Sequence, residues 1–203
     1  MKPQKRHARN RGYTVVEVLS AMTLFAIGAA GVISMQRVTI LGGDDARRMD
    51  VATNIAHMWT SRLQRDSAFW TKPNANDTGL NINETFWLSD CPTSGVSAWK
   101  NPDISTSYVA RSGNFDLFGQ DRPADSNDHI FCAQYRLSWI TDPGGGAPYR
   151  TTASMRAEVR VFWARLDNAP ILACSSATPD GATAKTDYHF VYATTAIRPN
   201  PAP

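Results

Sequence analysis

The stretch from Tyr13 to Met35, YTVVEVLSAMTLFAIGAAGVISM, decides the fold of this chain. It contains no basic residue, and Glu17 is its one acidic residue. As an α-helix it would be roughly 35 Å long, at about 1.5 Å per residue, which is enough to cross a hydrocarbon core of about 30 Å. The sequence therefore predicts a membrane-spanning helix near the N-terminus.

Positive charge is concentrated before this apolar stretch. The first twelve residues hold no acidic residue and five cations, Lys2, Lys5, Arg6, Arg9 and Arg11. On the other side only Arg37 lies close, and this imbalance predicts a cytoplasmic N-terminus and an exported C-terminal part. Subtracting the five charges from the net +3 leaves −2 for the other side chains. The folded part thus lacks the basic excess that is expected of a nucleic-acid-binding domain.

A secretory signal peptide is the competing interpretation of a basic start followed by apolar residues. The apolar run is longer than the usual 7–15 residues, and no small-x-small cleavage site precedes a polar start. Helical periodicity also continues, because Asp44–Asp66 contains no Pro or Gly. Its apolar residues recur at helical spacing: Met49, Ala52, Ile55, Ala56, Trp59 and Leu63. The pattern favours one long helix, lipid-facing first and amphipathic later, with Gly42-Gly43 as its weakest point.

Glu17 is the most informative residue of the apolar stretch. A carboxylate near the bilayer centre costs roughly 2.5–3.5 kcal/mol on insertion scales, so it normally has a partner and a function. The alternative is that Glu17, near the start of the run, reaches the headgroup region. The charge alone leaves both interpretations open.

The residues around Glu17 favour the functional interpretation. The run from Arg11 to Leu19, RGYTVVEVL, resembles the type IV prepilin signature. In that signature a short basic leader ends at Gly, an apolar or aromatic residue follows, and Glu lies four positions further on. The stretches Glu17–Leu19, Ala26–Gly31 and Met35-Gln36 look most like the minor pilins called type IV pilus modification proteins, or PilV-like proteins. The resemblance covers about residues 9–66.

This resemblance implies how the chain is processed and assembled. Prepilin peptidase would cut between Gly12 and Tyr13 and methylate the new amine of Tyr13, and Glu17 would neutralise that amine on a neighbouring subunit. The implied partners are major and other minor pilins, the inner-membrane assembly platform and a tip adhesin. The protein would lie in the bacterial inner membrane and later in an extracellular pilus.

The predicted organisation follows from these segments. Residues 1–12 form a leader that is removed, 13–36 the transmembrane or filament-core helix, 37–70 an amphipathic helix and 71–203 a β-rich head. Three strands are predicted from alternating apolar residues, over Ile130–Ile140, Met155–Leu166 and Tyr188–Ile197. Shorter strands are expected near Thr85–Leu88 and Ser107–Arg111. The expected fold is α+β and pilin-like, with Ala46–Asp66 covering the apolar side of a small antiparallel sheet.

The cysteines predict one disulfide in an exported head. Cys91, Cys132 and Cys174 show no zinc-ligand spacing, so one pair and one spare thiol is the simplest arrangement, and all three pairings stay open. Three buried reduced cysteines are the alternative.

The head shows little sign of an enzyme. No nucleophile elbow, phosphate-binding loop or His-Glu-x-x-His motif occurs, so we expect no catalytic residue, metal or cofactor. Three weaker arrangements are considered: Cys132 with His129 and Asp128 as a catalytic set, residues 121–128 as a calcium loop, and a binding surface of Trp70, Trp87 and Trp99. For residues 121–128 a solvated loop is the better interpretation, because the spacing does not match an EF-hand, and for the tryptophans a small aromatic core is the better one.

Three rivals to a minor pilin remain from the sequence. A pseudopilin of a type II secretion system has the same N-terminal signature. A membrane-anchored periplasmic enzyme or ligand-binding module would require a pocket with converging polar groups. A DNA-uptake pilin would require a local basic patch, for which Arg150, Arg156 and Arg160 are the candidates.

Overall fold

The computed structural model describes residues 13–70, 82, 85–92, 95–102, 112–123, 129–141, 154–165, 174, 179 and 184–199. The helices are α1, Val15–Trp70, and the short α2, Ala184–Asp187. The strands are β1, Asn114–Phe115; β2, Asp121–Arg122; β3, Phe131–Thr141; β4, Ser154–Ala164; and β5, Tyr188–Ile197. A 3-10 turn covers Leu88–Asp90. The chain divides into two compact units, one up to Ala46 and one from Arg47.

The long helix α1 confirms the predicted continuity from the apolar stretch into the amphipathic one. It passes through Gly42 and Gly43 without interruption. In the first unit nearly all of its side chains are exposed, and Phe25 is 78% exposed. In the second unit one face is buried, as the spacing of Ala52, Ile55 and Leu63 predicts. Met49 was expected on this buried face, but it is 46% exposed, so that prediction is wrong.

The strands form one antiparallel sheet in the order β2-β1-β3-β4-β5. This confirms the α+β, pilin-like fold class: a long N-terminal helix with a small antiparallel sheet. The three long predicted strands are present, and β4 ends at Ala164, not at Leu166. The two-residue strands β1 and β2 were not predicted, because two residues carry no readable alternation.

One face of the sheet and the buried face of α1 share a single apolar core. Alternate residues of β3 and β4 contribute to it, as their period of two requires. The core contains the buried helix residues together with residues of these two strands: Phe131, Tyr135 and Leu137 from β3, and Met155, Val159, Val161 and Trp163 from β4. The helix after Ala46 therefore covers the apolar side of the sheet, as predicted. The opposite face carries a smaller cluster of Cys132, Phe162, Cys174 and Tyr188.

A tight turn joins β1 to β2. Asp116 lies at its start, and its Oδ1 accepts the backbone N–H groups of Phe118 and Gln120, each at 2.9 Å. Gly119 has φ of +75°, a left-handed conformation that side chains with a Cβ rarely adopt. On the neighbouring strand Asp121 pairs with Arg62 of α1 at 2.5 Å. This carboxylate, part of the loop considered as a calcium site, is therefore used by an ion pair between helix and sheet.

Asp66 explains why the strand expected over Thr85–Leu88 is absent. Its buried carboxylate accepts the backbone N–H of Phe86 at 2.9 Å, of Trp87 at 2.8 Å and of Leu88 at 3.2 Å. These donors are consequently committed to a helix side chain, and the segment bends into the 3-10 turn instead of joining a ladder. The strand expected near Ser107–Arg111 lies outside the described residues.

Candidate functional site

The first candidate site is the start of α1, where the predicted processing and assembly residues lie. Gly12 and the rest of the leader are outside the described residues. Tyr13 and Thr14 are not helical, and α1 begins at Val15, so two residues separate the predicted cleavage point from the helix. Tyr13 is 83% exposed.

Thr14 is the N-cap of α1. Its carbonyl oxygen accepts the N–H groups of Glu17 at 3.0 Å and Val18 at 3.2 Å, which are the first hydrogen bonds of the helix. Its hydroxyl oxygen Oγ1 accepts the same Glu17 N–H at 3.4 Å. A Thr cap followed by Glu three residues later is the capping-box pattern. The signal is readable in the sequence Thr14-Val15-Val16-Glu17, but the sequence-based interpretation missed it.

Glu17 lies on an apolar face of α1. The face around it is formed by residues spaced by one helical turn: Tyr13, Val18, Ala21, Met22 and Phe25. Within the described part of the chain, the carboxylate of Glu17 makes no hydrogen bond and no ion pair; only the backbone N–H and C=O of this residue do. The local arrangement is therefore a single acid on an apolar surface, with its oxygens available to a cation from elsewhere.

Two hydroxyl groups of the apolar stretch bond to the backbone of their own helix. The hydroxyl of Ser20 donates to the Glu17 carbonyl at 2.9 Å, and the hydroxyl of Thr23 donates to the Ser20 carbonyl at 2.8 Å. An unpaired polar group is costly in hydrocarbon, so these bonds suit an apolar environment. By length and composition α1 can cross a membrane. An 18-residue window of this helix has a mean hydropathy of 2.0, and none of that window is buried inside the protein.

The structure selects one of the three cysteine pairings. Cys132 on β3 and Cys174 form a disulfide, with their Cα atoms 5.3 Å apart, and both residues are buried. The expectation of one pair and one spare thiol is thereby met, and the spare thiol is Cys91. Burial raises the pKa of Cys91 to about 12, although Lys100 lowers it, so this thiol is protonated at neutral pH.

The disulfide also removes two candidate chemistries from the head. His129, Cys132 and Cys174 place their potential ligand atoms within 4.8 Å of one another. Both sulfur atoms are in the disulfide, however, and a metal ligand or a nucleophile must be a thiolate. The set of Cys132, His129 and Asp128 therefore has no nucleophile, and Asp128 lies outside the described residues.

The tryptophan surface and the basic patch are also corrected. Trp70 and Trp87 are 1% and 8% exposed and belong to the core, so they cannot form a binding surface. Among the expected cations, Arg156 pairs with Glu158 and Arg160 is 2% exposed, while Arg150 lies outside the described residues. Of the residues expected to form the basic patch, the two that the structure describes are thus an arginine in an ion pair and an arginine that is buried.

Trp99 lies beside a cavity of about 750 Å³ on the sheet. Its ring is 4.5 Å from the guanidinium carbon of Arg136 and 4.3 Å from that of Arg160. Arg136 also pairs with Glu158, and Nε of Arg160 donates to Gln134 at 2.7 Å. These contacts hold the arginines within the fold.

Comparison with known proteins supports the N-terminal site. Residues 7–33 match the family model described as the prokaryotic N-terminal methylation motif, and this range contains Gly12, Tyr13 and Glu17. Neither the curated proteins nor the solved structures give a match to this chain. The motif implies processing by prepilin peptidase and assembly with other pilins, and together with the apolar helix it fits a membrane-anchored pilin. The motif supports a type IV pilin-like or pseudopilin-like protein, and the long apolar helix with the antiparallel sheet of the head fits that architecture.

Proposed function

We propose that the chain is a minor type IV pilin of the PilV-like group, a structural subunit that primes pilus assembly or lies near the pilus tip. The observation that carries this proposal is the methylation motif over residues 7–33, together with the carboxylate of Glu17, which has no partner among the described residues. Prepilin peptidase removes residues 1–12 and methylates the amine of Tyr13. The protein is a building unit and not an enzyme.

Glu17 drives the entry of the subunit into a filament. A carboxylate without a partner on an apolar surface is unfavourable, and its attraction to an ammonium is strong where the dielectric constant is low. The amine of Tyr13 on a neighbouring subunit supplies this ammonium only after the leader has been removed. Docking therefore satisfies two charges that are each costly alone, while the apolar faces of the helices pack together.

The apolar half of α1 has a function both before and after assembly. In the inner membrane its exposed side chains contact lipid, with the N-terminus cytoplasmic and the head periplasmic. In the pilus the same side chains contact the helices of other pilins. The inner-membrane assembly platform and a tip adhesin are further partners in this proposal. Type II pseudopilins share the motif, and the neighbouring genes distinguish the two systems.

The first test is the mature N-terminus of the protein. The full chain is co-expressed with prepilin peptidase, and its N-terminus is determined by mass spectrometry. We expect loss of residues 1–12 and one added methyl group on Tyr13, whereas a catalytically inactive peptidase leaves the chain intact. Retention of the leader with the active peptidase, or cleavage at another bond, contradicts the proposal.

The second test removes the charge of Glu17. We expect Glu17→Ala to be processed normally but to be incorporated into pili at least about tenfold less, because pairing in low dielectric is worth more than about 1.4 kcal/mol. Asp44→Ala is the matched control, since it removes an exposed carboxylate from the same helix beyond the motif. Incorporation is measured by immunoblotting of sheared pili. Equal incorporation of both variants would exclude the pairing role.

A further inference from the structure

Three potential metal ligands from different parts of the chain meet in the head. His129 lies just before β3, Cys132 lies on β3, and Cys174 follows Cys132 by 42 residues. All three are buried, and their potential ligand atoms lie within 4.8 Å of one another. One imidazole nitrogen and two cysteine sulfurs are a donor set that zinc sites use. The disulfide prevents metal binding only while it is closed, because cysteine binds a metal as the thiolate.

Reduction of the pair must change the position of its sulfur atoms. Heavy atoms that are not bonded to each other rest on the order of 3.5–4.0 Å apart, so two separate thiols need more room than a disulfide. In a tetrahedral zinc site, with Zn–S of about 2.3 Å and Zn–N of about 2.0 Å, neighbouring ligand atoms are about 3.5–3.8 Å apart. Opening the disulfide therefore moves Cys132 and Cys174 towards the spacing of a zinc site, with a nitrogen of His129 within reach.

The reduced state of these cysteines precedes the disulfide, because every chain is synthesised with thiols. In the head the two sulfur atoms are packed with the aromatic rings of Phe162 and Tyr188. Burial in apolar surroundings disfavours a bare thiolate, whereas a bound divalent cation deprotonates a coordinating thiol. A cation at this position therefore compensates the charge of both thiolates inside the head.

We propose that the head binds one zinc ion through His129, Cys132 and Cys174 before its disulfide closes, and that closure releases the ion. Binding displaces one proton from each thiol to solvent. Closure uses an oxidant that carries a disulfide of its own. The two thiolates transfer two electrons to this oxidant, whose S–S bond breaks into two thiolates. The bond between Sγ of Cys132 and Sγ of Cys174 forms, and the zinc ion leaves with its charge unchanged.

The zinc ion gives the choice of cysteine partners a physical cause. Cys91 packs against the main core, and it is not part of the cluster around Cys132 and Cys174. An ion that binds Cys132 and Cys174 keeps their sulfur atoms adjacent, so that oxidation joins these two and leaves Cys91 as the free thiol. This inference concerns the head alone and does not rest on processing of the N-terminus.

The test is a cobalt titration of the full chain in detergent micelles, without oxygen, after reduction with a phosphine. Cobalt(II) occupies the same kind of site as zinc, and its charge-transfer absorption in the near ultraviolet reports bound thiolates. We expect one cobalt ion per reduced chain, its displacement by zinc, and no such absorption from the disulfide-bonded protein. Zinc should also raise the denaturant midpoint of the reduced protein alone, because a ligand of the folded state stabilises that state.

Two pairs of variants distinguish the proposed ligands from other residues of the same type. His129→Ala should weaken zinc binding at least about tenfold, since loss of even an outer partner of a metal ligand costs that much. His57→Ala, at an exposed position of α1, should leave the zinc affinity unchanged. Cys132→Ser should abolish the thiolate absorption at stoichiometric cobalt, and Cys91→Ser should retain it. Native tryptophan emission of oxidised His129→Ala shows that the head of this variant folds.

Three results would overturn the inference. The first is a reduced, unmodified chain that gives no thiolate-to-cobalt absorption, whether or not its head is folded. The second is an equal zinc affinity of His129→Ala and the unmodified chain, because two thiolates alone would then form the site. The third is a loss of absorption in Cys91→Ser as large as that in Cys132→Ser, because the ligands would then be a different set. None of these results concerns cleavage after Gly12, so the proposed pilin function is tested separately.

Discussion

Replacement of Asp66 by Ala should destabilise the head more than any other single change to a helix carboxylate. The carboxylate is 2% exposed and accepts three backbone N–H groups, at 2.9, 2.8 and 3.2 Å. Removing it leaves three donors without their acceptor, at about 1–3 kcal/mol for each buried group. A neighbouring cavity of about 420 Å³, lined by Phe69 and Phe86, lets water reach some of them. We therefore expect a loss of about 3–5 kcal/mol.

The assay is urea unfolding of the full chain in detergent micelles, followed by tryptophan fluorescence. Trp59 and Trp87 are buried near Asp66 with ring centroids 5.4 Å apart, so their emission reports the loss of this packing. With an m-value of about 2 kcal/mol per M, the midpoint should fall by about 2 M. Asp66→Asn keeps one acceptor oxygen and should lose roughly half as much free energy.

Asp50→Ala is the matched control for this measurement. Asp50 is an exposed carboxylate on the same helix, and its removal should change the unfolding free energy by less than about 0.5 kcal/mol. A loss below about 1 kcal/mol for Asp66→Ala, with an unchanged m-value, would refute the conclusion that this carboxylate fixes the 85–88 segment.

Two further predictions concern the disulfide and the pH dependence of the head. Replacing Cys132 and Cys174 by Ser should cost about 4 kcal/mol for a cross-link spanning 42 residues, measured by denaturant unfolding, while Cys91→Ser serves as control and costs far less. Burial alone would raise the pKa of Asp116, but the N–H groups of Gln120 and Phe118 and the Arg122 guanidinium outweigh it and hold this pKa below its ordinary 3.8. The stability that this ionised carboxylate contributes is present above the pKa of the unfolded state and is lost as pH falls through the pKa of the folded state. In Asp116→Asn the unfolding free energy should therefore depend less on pH below about pH 4. An unchanged pH dependence in this acid range would contradict the prediction.

The sequence predicts most reliably where a long periodic pattern repeats. The alternation of β3 and β4 sets their buried faces, and the helical spacing of Ala52, Ile55 and Leu63 sets the face of α1. In β5 the alternation of Tyr188, Phe190 and Tyr192 does not mark a buried face, because Tyr192 is 60% exposed. Single contacts between distant segments are not readable in this way. The bonds from Asp66 to residues about 20 positions away overrode the β-like composition of Thr85–Leu88, and no local pattern announces them.

The N-terminal motif and the apolar helix could be predicted from the sequence itself, because their signals are local. The basic residues lie before Tyr13, and Glu17 lies within the apolar residues that follow it, so the whole signal is contained in one short segment. The head was decided by tertiary structure. Which cysteines pair, whether Trp70 and Trp87 are core or surface, and whether Arg160 is buried all depend on segments far apart in the chain. Such contacts depend on how a helix and a sheet meet, and composition does not specify that geometry.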